Sequence, residues 1–254
     1  MELIPAVDLR NGHVVRLRQG DFGRTTDYGA DPIAIARRWV ADGAPRLHIV
    51  DLDGAEQGRP VQARLIARIV AAVGVPCQVA GGLRDAASVA RTLAGGSDRV
   101  VLGTSLLDEP TLARQLITTH GEERIVAALD VRDGRAVGRG WAGGAVGVEL
   151  SDAIVRLRDA GVGIFAVTAI ARDGMLAGPD LGLLARSRRA TVGRQLIASG
   201  GIRSLADLRA LRDAGCDGAI LGRALYEGRL RLAAAIAALA DPPAAGAPPS
   251  AGRR

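Results

Sequence analysis

The chain states one pattern twice, and that repetition constrains its fold more than any other feature. Residues 5–15 (Pro-Ala-Val-Asp-Leu-Arg-Asn-Gly-His-Val-Val) recur as residues 127–137 (Ala-Ala-Leu-Asp-Val-Arg-Asp-Gly-Arg-Ala-Val), so Asp8 and Asp130 hold matching positions 122 residues apart in a chain of 254. Gly81-Gly82-Leu83-Arg84 recurs as Gly200-Gly201-Ile202-Arg203, and Val101-Leu102-Gly103 as Ile220-Leu221-Gly222, both at an offset of 119. A repeat covering half the chain points to a fold made of two similar halves. A site on the axis between them receives one carboxylate and one set of glycines from each half. That arrangement suits a ligand with an anionic group at both ends.

Short apolar runs bounded by turn residues lie near residues 2–8, 46–51, 76–80, 98–102, 125–130, 163–168, 195–199 and 218–221. They read as buried parallel strands. Helical patterns fill the intervals near 32–42, 61–73, 85–94, 110–118, 149–160, 180–187, 204–214 and 229–239. Several open with a cap-like residue: Asp31 before Pro32, Asp108-Glu109 before Pro110, Ser204 before Leu205. Eight alternations predict an α/β fold, a single closed (βα)8 TIM barrel with an internal two-fold half-barrel repeat. The barrel is expected over residues 1–240, with halves about 1–122 and 123–240. No dinucleotide fingerprint opens the first helix. Two connections, residues 9–30 and 131–148, are long and glycine-rich, and both leave strand ends where barrel enzymes keep their active sites. Their matching positions predict mobile lids. Residues 241–254 collapse to a Pro/Ala/Gly-rich composition and are expected to be disordered.

Charge narrows the chemistry. All 33 basic residues are arginine, the net charge is +6, and aromatics are 2% of the chain. The arginines are scattered over helix faces and the aromatics are too few to stack on single strands, so no nucleic-acid partner is expected. Without lysine, Schiff-base chemistry through a lysine is excluded. No apolar run reaches membrane-spanning length and no signal peptide is visible, so the expected compartment is the cytoplasm, with no membrane partner. Cys77 and Cys216 sit beside strands and are expected as buried free thiols. His13, His48 and His120 have no metal-ligand spacing, and no metal or cofactor is expected. His48, inside an apolar strand, reads as a core or interface residue.

Asp8 and Asp130 each end an apolar strand, where a carboxylate projects into the barrel mouth. Two carboxylates flanking a sugar can serve as general base and general acid without a metal. Turn capping is the competing use of a lone Asp, and the repeat weighs against it here. Gly81-Gly82 with Gly103-Thr104, and Gly200-Gly201 with Gly222-Arg223, offer bare backbone N–H groups from neighbouring loops. Such loops hold phosphates, although a Gly-Gly pair also serves as an ordinary tight turn. The doubling predicts two phosphate sites on opposite sides of the mouth, with Arg84 and Arg223 beside them. Thr168 ends the sixth strand and either holds a substrate hydroxyl or satisfies backbone; Asp51 is assigned the matching place after strand two. The expected ligand is a small bisphosphorylated molecule bound by a monomer.

Ile4 to Gly12 followed by Val15 to Phe22, then Leu47-His-Ile-Val-Asp-Leu-Asp-Gly-Ala, Ala171-Arg-Asp-Gly-Met-Leu-Ala-Gly-Pro-Asp and Ala198-Ser-Gly-Gly-Ile-Arg, come in the order of a known family. Over about residues 1–240 the chain resembles the ProFAR isomerase family of histidine biosynthesis. The resemblance implies an aldose–ketose isomerase, which opens the ribose ring of an aminoaldose and moves its carbonyl to give the aminoketose PRFAR. It further implies Asp8 as the base that removes the C2 proton, Asp130 as the acid that protonates the ring oxygen, and Thr168 in support.

Near relatives separate on single residues. The sister cyclase carries a cysteine where this chain has Ala6, and a lysine soon after; the dedicated anthranilate-pathway isomerase also relies on a cysteine after its first strand. The dual-substrate isomerase, which also converts phosphoribosylanthranilate, shares Arg139-Gly140-Trp141 but not the Ala142-Gly143-Gly144 that follows. Arg16, Gln19, Arg139 and Trp141 are assigned to substrate loops. Ala169 and Ala80 depart from the family pattern at positions next to the site. A flavin-dependent barrel would leave the second glycine pair unexplained, and a non-catalytic barrel would leave both aspartates unexplained.

Overall fold

The computed structural model describes residues 1–138 and 147–240. Arg139, Trp141 and the tail from 241 to 254 lie outside the described residues, as do the expectations attached to them. Among the described residues, twelve strands run in chain order: β1 (Glu2–Arg10), β2 (His13–Arg18), β3 (Asp21–Gly29), β4 (Leu47–Asp51), β5 (Cys77–Ala80), β6 (Arg99–Leu102), β7 (Ile125–Arg132), β8 (Arg135–Val137), β9 (Val148–Glu149), β10 (Ile164–Ala169), β11 (Gln195–Ser199) and β12 (Gly218–Leu221). Eight of them, β1, β4, β5, β6, β7, β10, β11 and β12, pair in parallel, and β12 returns to β1 to close the barrel. The main helices fall between them, at Pro32–Ala41, Ala63–Val73, Ala86–Ala94, Pro110–His120, Leu150–Asp159, Leu181–Ala190, Leu205–Asp213 and Leu232–Ala240. The eight-fold alternation expected from the sequence is the architecture of the chain.

Local chemistry sets the helix starts. Asp31 accepts from the Ala34 amide ahead of Pro32, and Ser204 and Asp207 form a reciprocal capping box. The helices press their apolar faces onto the outside of the barrel, where Phe165, Leu47, Ile69 and Leu116 are fully buried. Each such side chain contributes roughly 1.5–3 kcal/mol by leaving water. Both cysteines are buried free thiols. No described helix is long and apolar enough to cross a membrane.

A second, smaller cluster fills the barrel interior: Ile4, Ala6, Val126, Ile164, Ala166 and Ile197, with Ala128 against it. Successive inward positions on a strand are two residues apart. Ile4, Ala6 and Asp8 on β1 are therefore stacked, as are Val126, Ala128 and Asp130 on β7, and Ile164, Ala166 and Thr168 on β10. Branched side chains plug the floor, and alanines above them leave room below the polar residues at the mouth.

The first long connection is not the glycine-rich loop expected. β1 continues past the barrel and folds back antiparallel through β2 to β3. Its turn, Asn11-Gly12, has φ of 49° and 80°, the double left-handed geometry that Asn-Gly favours in a two-residue hairpin. β7 and β8 make the same turn at Asp133-Gly134, with φ of 50° and 78°. The register also matches: Asp8 faces Val15, and Asp130 faces Val137.

Candidate active site

The glycine pairs are fixed by backbone contact. Gly82 has φ of 72°, and a Cβ there would stand 2.4 Å from the Arg59 carbonyl carbon; Gly201 has φ of 83°, and its Cβ would stand 2.3 Å from the Gly178 oxygen. No L side chain fits either place, so both turns bring bare backbone to the barrel mouth. Gly81 and Gly200 precede them with positive φ as well. Gly103 packs near the Ala128 carbonyl, and Thr104 opens the short helix Thr104–Asp108. Gly200, Gly201, Gly222 and Arg223 together line one narrow cleft, shared with Arg16 and Asp173.

That cleft adjoins a central cavity of about 210 Å³ whose walls include Asp8, Arg16, Asp130, Thr168, Asp173 and Ser199. Asp8, at the top of β1, pairs with Arg16 from β2 at 2.8 Å. Burial lifts the Asp8 carboxyl to about 6; the Arg16 charge opposes the rise and the nearby Asp173 carboxylate adds to it. A group that titrates there is a competent proton acceptor near neutrality. Asp173, in the loop after β10, is itself raised by burial, against the pull of Arg16 and of the Gly174 amide. Arg16 therefore stands among the cavity's acids as their cation. Its Nη2 lies against Gly222, where a Cβ would come within 1.9 Å.

The turn after β2 and the loop after β10 are clasped together over the site. The Gln19 amide nitrogen donates to the Asp173 oxygen at 3.1 Å, and Gln19 Nε2 donates to the Ala171 oxygen at 3.1 Å. Arg223 donates to the Gly174 oxygen at 2.6 Å and pairs with Glu227. Gln19 and Arg223, assigned from sequence to ligand contact, also hold protein loops together, and Arg223 lines the glycine cleft. Arg84 is exposed, with its guanidinium over Gly58.

Asp130 has different neighbours. Thr168 on β10 is its direct partner across the strand pair, and Ser199 on β11 follows Thr168 in the same ring. On the other side of the barrel the residue beside Asp8 is Val50, not Asp51. The assignment of Asp51 as the mate of Thr168 is therefore off by one residue, which on a strand reverses the face. Asp51 turns outward and accepts from the amides of Gly54, Val61 and Gln62, at 2.7, 2.7 and 2.8 Å. It is a structural cap.

His48 is buried, as expected, yet it lines the cavity. Its Nδ1 is 3.0 Å from Gln78 Nε2. Burial first, and the Arg16 charge second, push its pKa down to about 3, so it presents a neutral imidazole to the cavity floor. Among the described residues no three His, Cys, Asp or Glu side chains converge as a metal set.

Comparison with known proteins places this geometry. The profile of the family described as histidine biosynthesis protein matches residues 2–231. A protein of Roseiflexus sp. (strain RS-1) is 47% identical over 242 residues, which is 94% of this chain and 100% of that one. One from Thermomicrobium roseum is 47% identical over 91% of this chain and 94% of its own. One from Picosynechococcus sp. is 44% identical over 94% and 93%. All three bear the name 1-(5-phosphoribosyl)-5-((5-phosphoribosylamino)methylideneamino) imidazole-4-carboxamide isomerase.

Proposed function

The chain belongs to the histidine biosynthesis protein family, and from that premise we propose that it is the isomerase its relatives are named for, converting ProFAR to PRFAR by an Amadori rearrangement. The observation that carries the reading is the placement of Asp8 and Asp130 in the wall of one cavity, at the tops of β1 and β7. Protonated Asp130 gives its proton to the ring oxygen as the C1–O bond opens, and the glycosidic nitrogen's electron pair forms the iminium. Ionised Asp8 takes the C2 proton, and the electrons of that bond neutralise the iminium to an enaminol. The Asp8 proton then goes to C1 while Asp130 recovers a proton from the C2 hydroxyl, leaving the ketone. Both carboxyls return to their starting states, so the cycle consumes no cofactor. Thr168, beside Asp130, positions that acid or the hydroxyl it serves.

The two phosphates of such a substrate fit the two glycine pairs. One is assigned to Gly81, Gly82, Gly103 and Thr104, the other to Gly200, Gly201 and Gly222, whose backbone N–H groups carry partial positive charge. Fixing both ends holds the ribose between the two acids, so that proton transfer takes place within one oriented complex.

Steady-state turnover of the purified protein on ProFAR tests the reading, with phosphoribosylanthranilate run beside it. Turnover of ProFAR establishes the isomerase, and turnover of both adds the second pathway and makes Arg139 and Trp141 the next targets. Folded protein that converts neither contradicts the assignment.

A further inference from the structure

Arg16, Asp173, Ser199 and Ile220 line both the central cavity and the glycine cleft beside it, and of the four Arg16 carries the positive charge. One nitrogen, Nη1, pairs with Asp8 at 2.8 Å; Nη2 lies on Gly222; and Nε is buried with no hydrogen-bond partner. A buried guanidinium N–H without an acceptor is costly, and this one sits at the edge of the cleft assigned to a phosphate. A phosphate dianion offers twice the charge of a carboxylate and can accept from two guanidinium nitrogens at once. The distance to be covered is short, because Nη2 is already at Gly222.

We propose that Arg16 is a positioning residue that passes from Asp8 to a phosphate held at Gly201 and Gly222, so that filling this cleft frees Asp8 to act as the base. The proposal rests on the phosphate reading of that cleft and adds a coupling to it. With the cleft empty, Arg16 pairs with Asp8 and lowers its affinity for a proton below what burial alone would give. With phosphate bound, the carboxylate loses its counter-charge and its proton affinity rises. The base would then be strongest when substrate is seated. Other groups facing Asp8 stay in place through the exchange: Asp173 from the loop after β10, Tyr226 from the helix Arg223–Tyr226, whose hydroxyl is tied to the Ala6 oxygen at 2.8 Å, and His48 and Asp130 across the cavity.

The test is a titration of Asp8 by carbonyl-13C NMR on aspartate-labelled protein, assigned with Asp8→Asn, in the absence and presence of inorganic phosphate. Binding of phosphate is followed separately by 31P line broadening. In the wild-type chain the midpoint should start near 6 and rise by about one pH unit when phosphate saturates. In Arg16→Met it should start higher, and phosphate should move it less than half as far, by its own charge alone. If Arg16→Met no longer binds phosphate, the guanidinium is a ligand of the anion and the wild-type titration decides. Phosphate that binds wild-type protein without moving Asp8, or moves it equally in both proteins, overturns the coupling alone. Absence of phosphate binding to the wild-type chain overturns the cleft reading and the coupling together. During turnover the acid limb of kcat should lie above that of kcat/KM, and the two should merge in Arg16→Met. Coincident limbs in the wild type would also contradict the proposal.

Discussion

The hairpin that rises from β1 and the one that rises from β7 use the same backbone for different chemistry. Both turn through two left-handed residues, and both set an aspartate opposite a valine, Asp8 with Val15 and Asp130 with Val137. One residue further on, the first hairpin carries Arg16 and the second carries Gly138. Beside each aspartate in the barrel wall stands Val50 in the first case and Thr168 in the second. A shared frame thus surrounds one carboxylate with a guanidinium and an apolar neighbour, and gives the other a hydroxyl. Identical functional groups acquire separate tasks through such surroundings.

The comparison breaks most severely at the aspartates themselves. Asp8→Asn and Asp130→Asn should each lower kcat on ProFAR by about 10³-fold, with circular dichroism and melting temperature little changed. Near-normal turnover in either variant removes that residue from the mechanism. The glycine turns are the part of the comparison that should stay equal. Gly82→Ala and Gly201→Ala each force a Cβ into backbone at a positive φ and should cost about 2–4 kcal/mol in urea unfolding. A loss confined to one of them would mean that the two turns are not built alike.

Stability against pH separates the aspartates without any substrate. The folded-state pKa of Asp8 lies above its ordinary value, 3.8, at about 6. The native state therefore holds that proton longer than the unfolded chain, and stability falls as pH rises through this window, by at most about 3 kcal/mol. Above the window the curve flattens. Asp8→Asn should show a shallower decline in denaturant melts, with the remainder due to Asp173. An unchanged slope would show that Asp8 is not held protonated by burial. The smallest effect concerns the neighbours. Thr168→Val should lower kcat about 10-fold, the worth of one good hydrogen bond, while Val50→Thr should change it less than about twofold. Equal effects would erase the distinction drawn between the two walls.

Much of this frame is legible in the amino-acid sequence. The runs 46–51 and 195–199 fall on β4 and β11 because a parallel strand covered on both faces is dominated by apolar residues, here Leu47, Ile49 and Val50, and Leu196, Ile197 and Ala198. The hairpins were misjudged. Asn11-Gly12 is a strong turn signal, but β2 does not alternate cleanly, since Val14 and Val15 are both buried. Asp51 was given an inward place because an offset of one residue is invisible in a repeat yet decisive on a strand. His48 looked like core because its neighbours are apolar; in a barrel the inner face turns from core to cavity wall partway up. The ion pair of Arg16 with Asp8 could not be read from spacing, since Val15, not Arg16, stands opposite Asp8.

The division of labour between the two aspartates is tested most directly by the reverse half-reaction in deuterium oxide. Proton loss from C1 of PRFAR needs a base but no ring oxygen, so NMR can follow its exchange in each variant independently of ring closure. Asp130→Asn should still exchange the C1 proton, more slowly because the C2 carbonyl has lost its acid, while failing to form ProFAR, and Asp8→Asn should do neither. Exchange that survives in Asp8→Asn and vanishes in Asp130→Asn would reverse the roles and contradict the asymmetry set by Arg16.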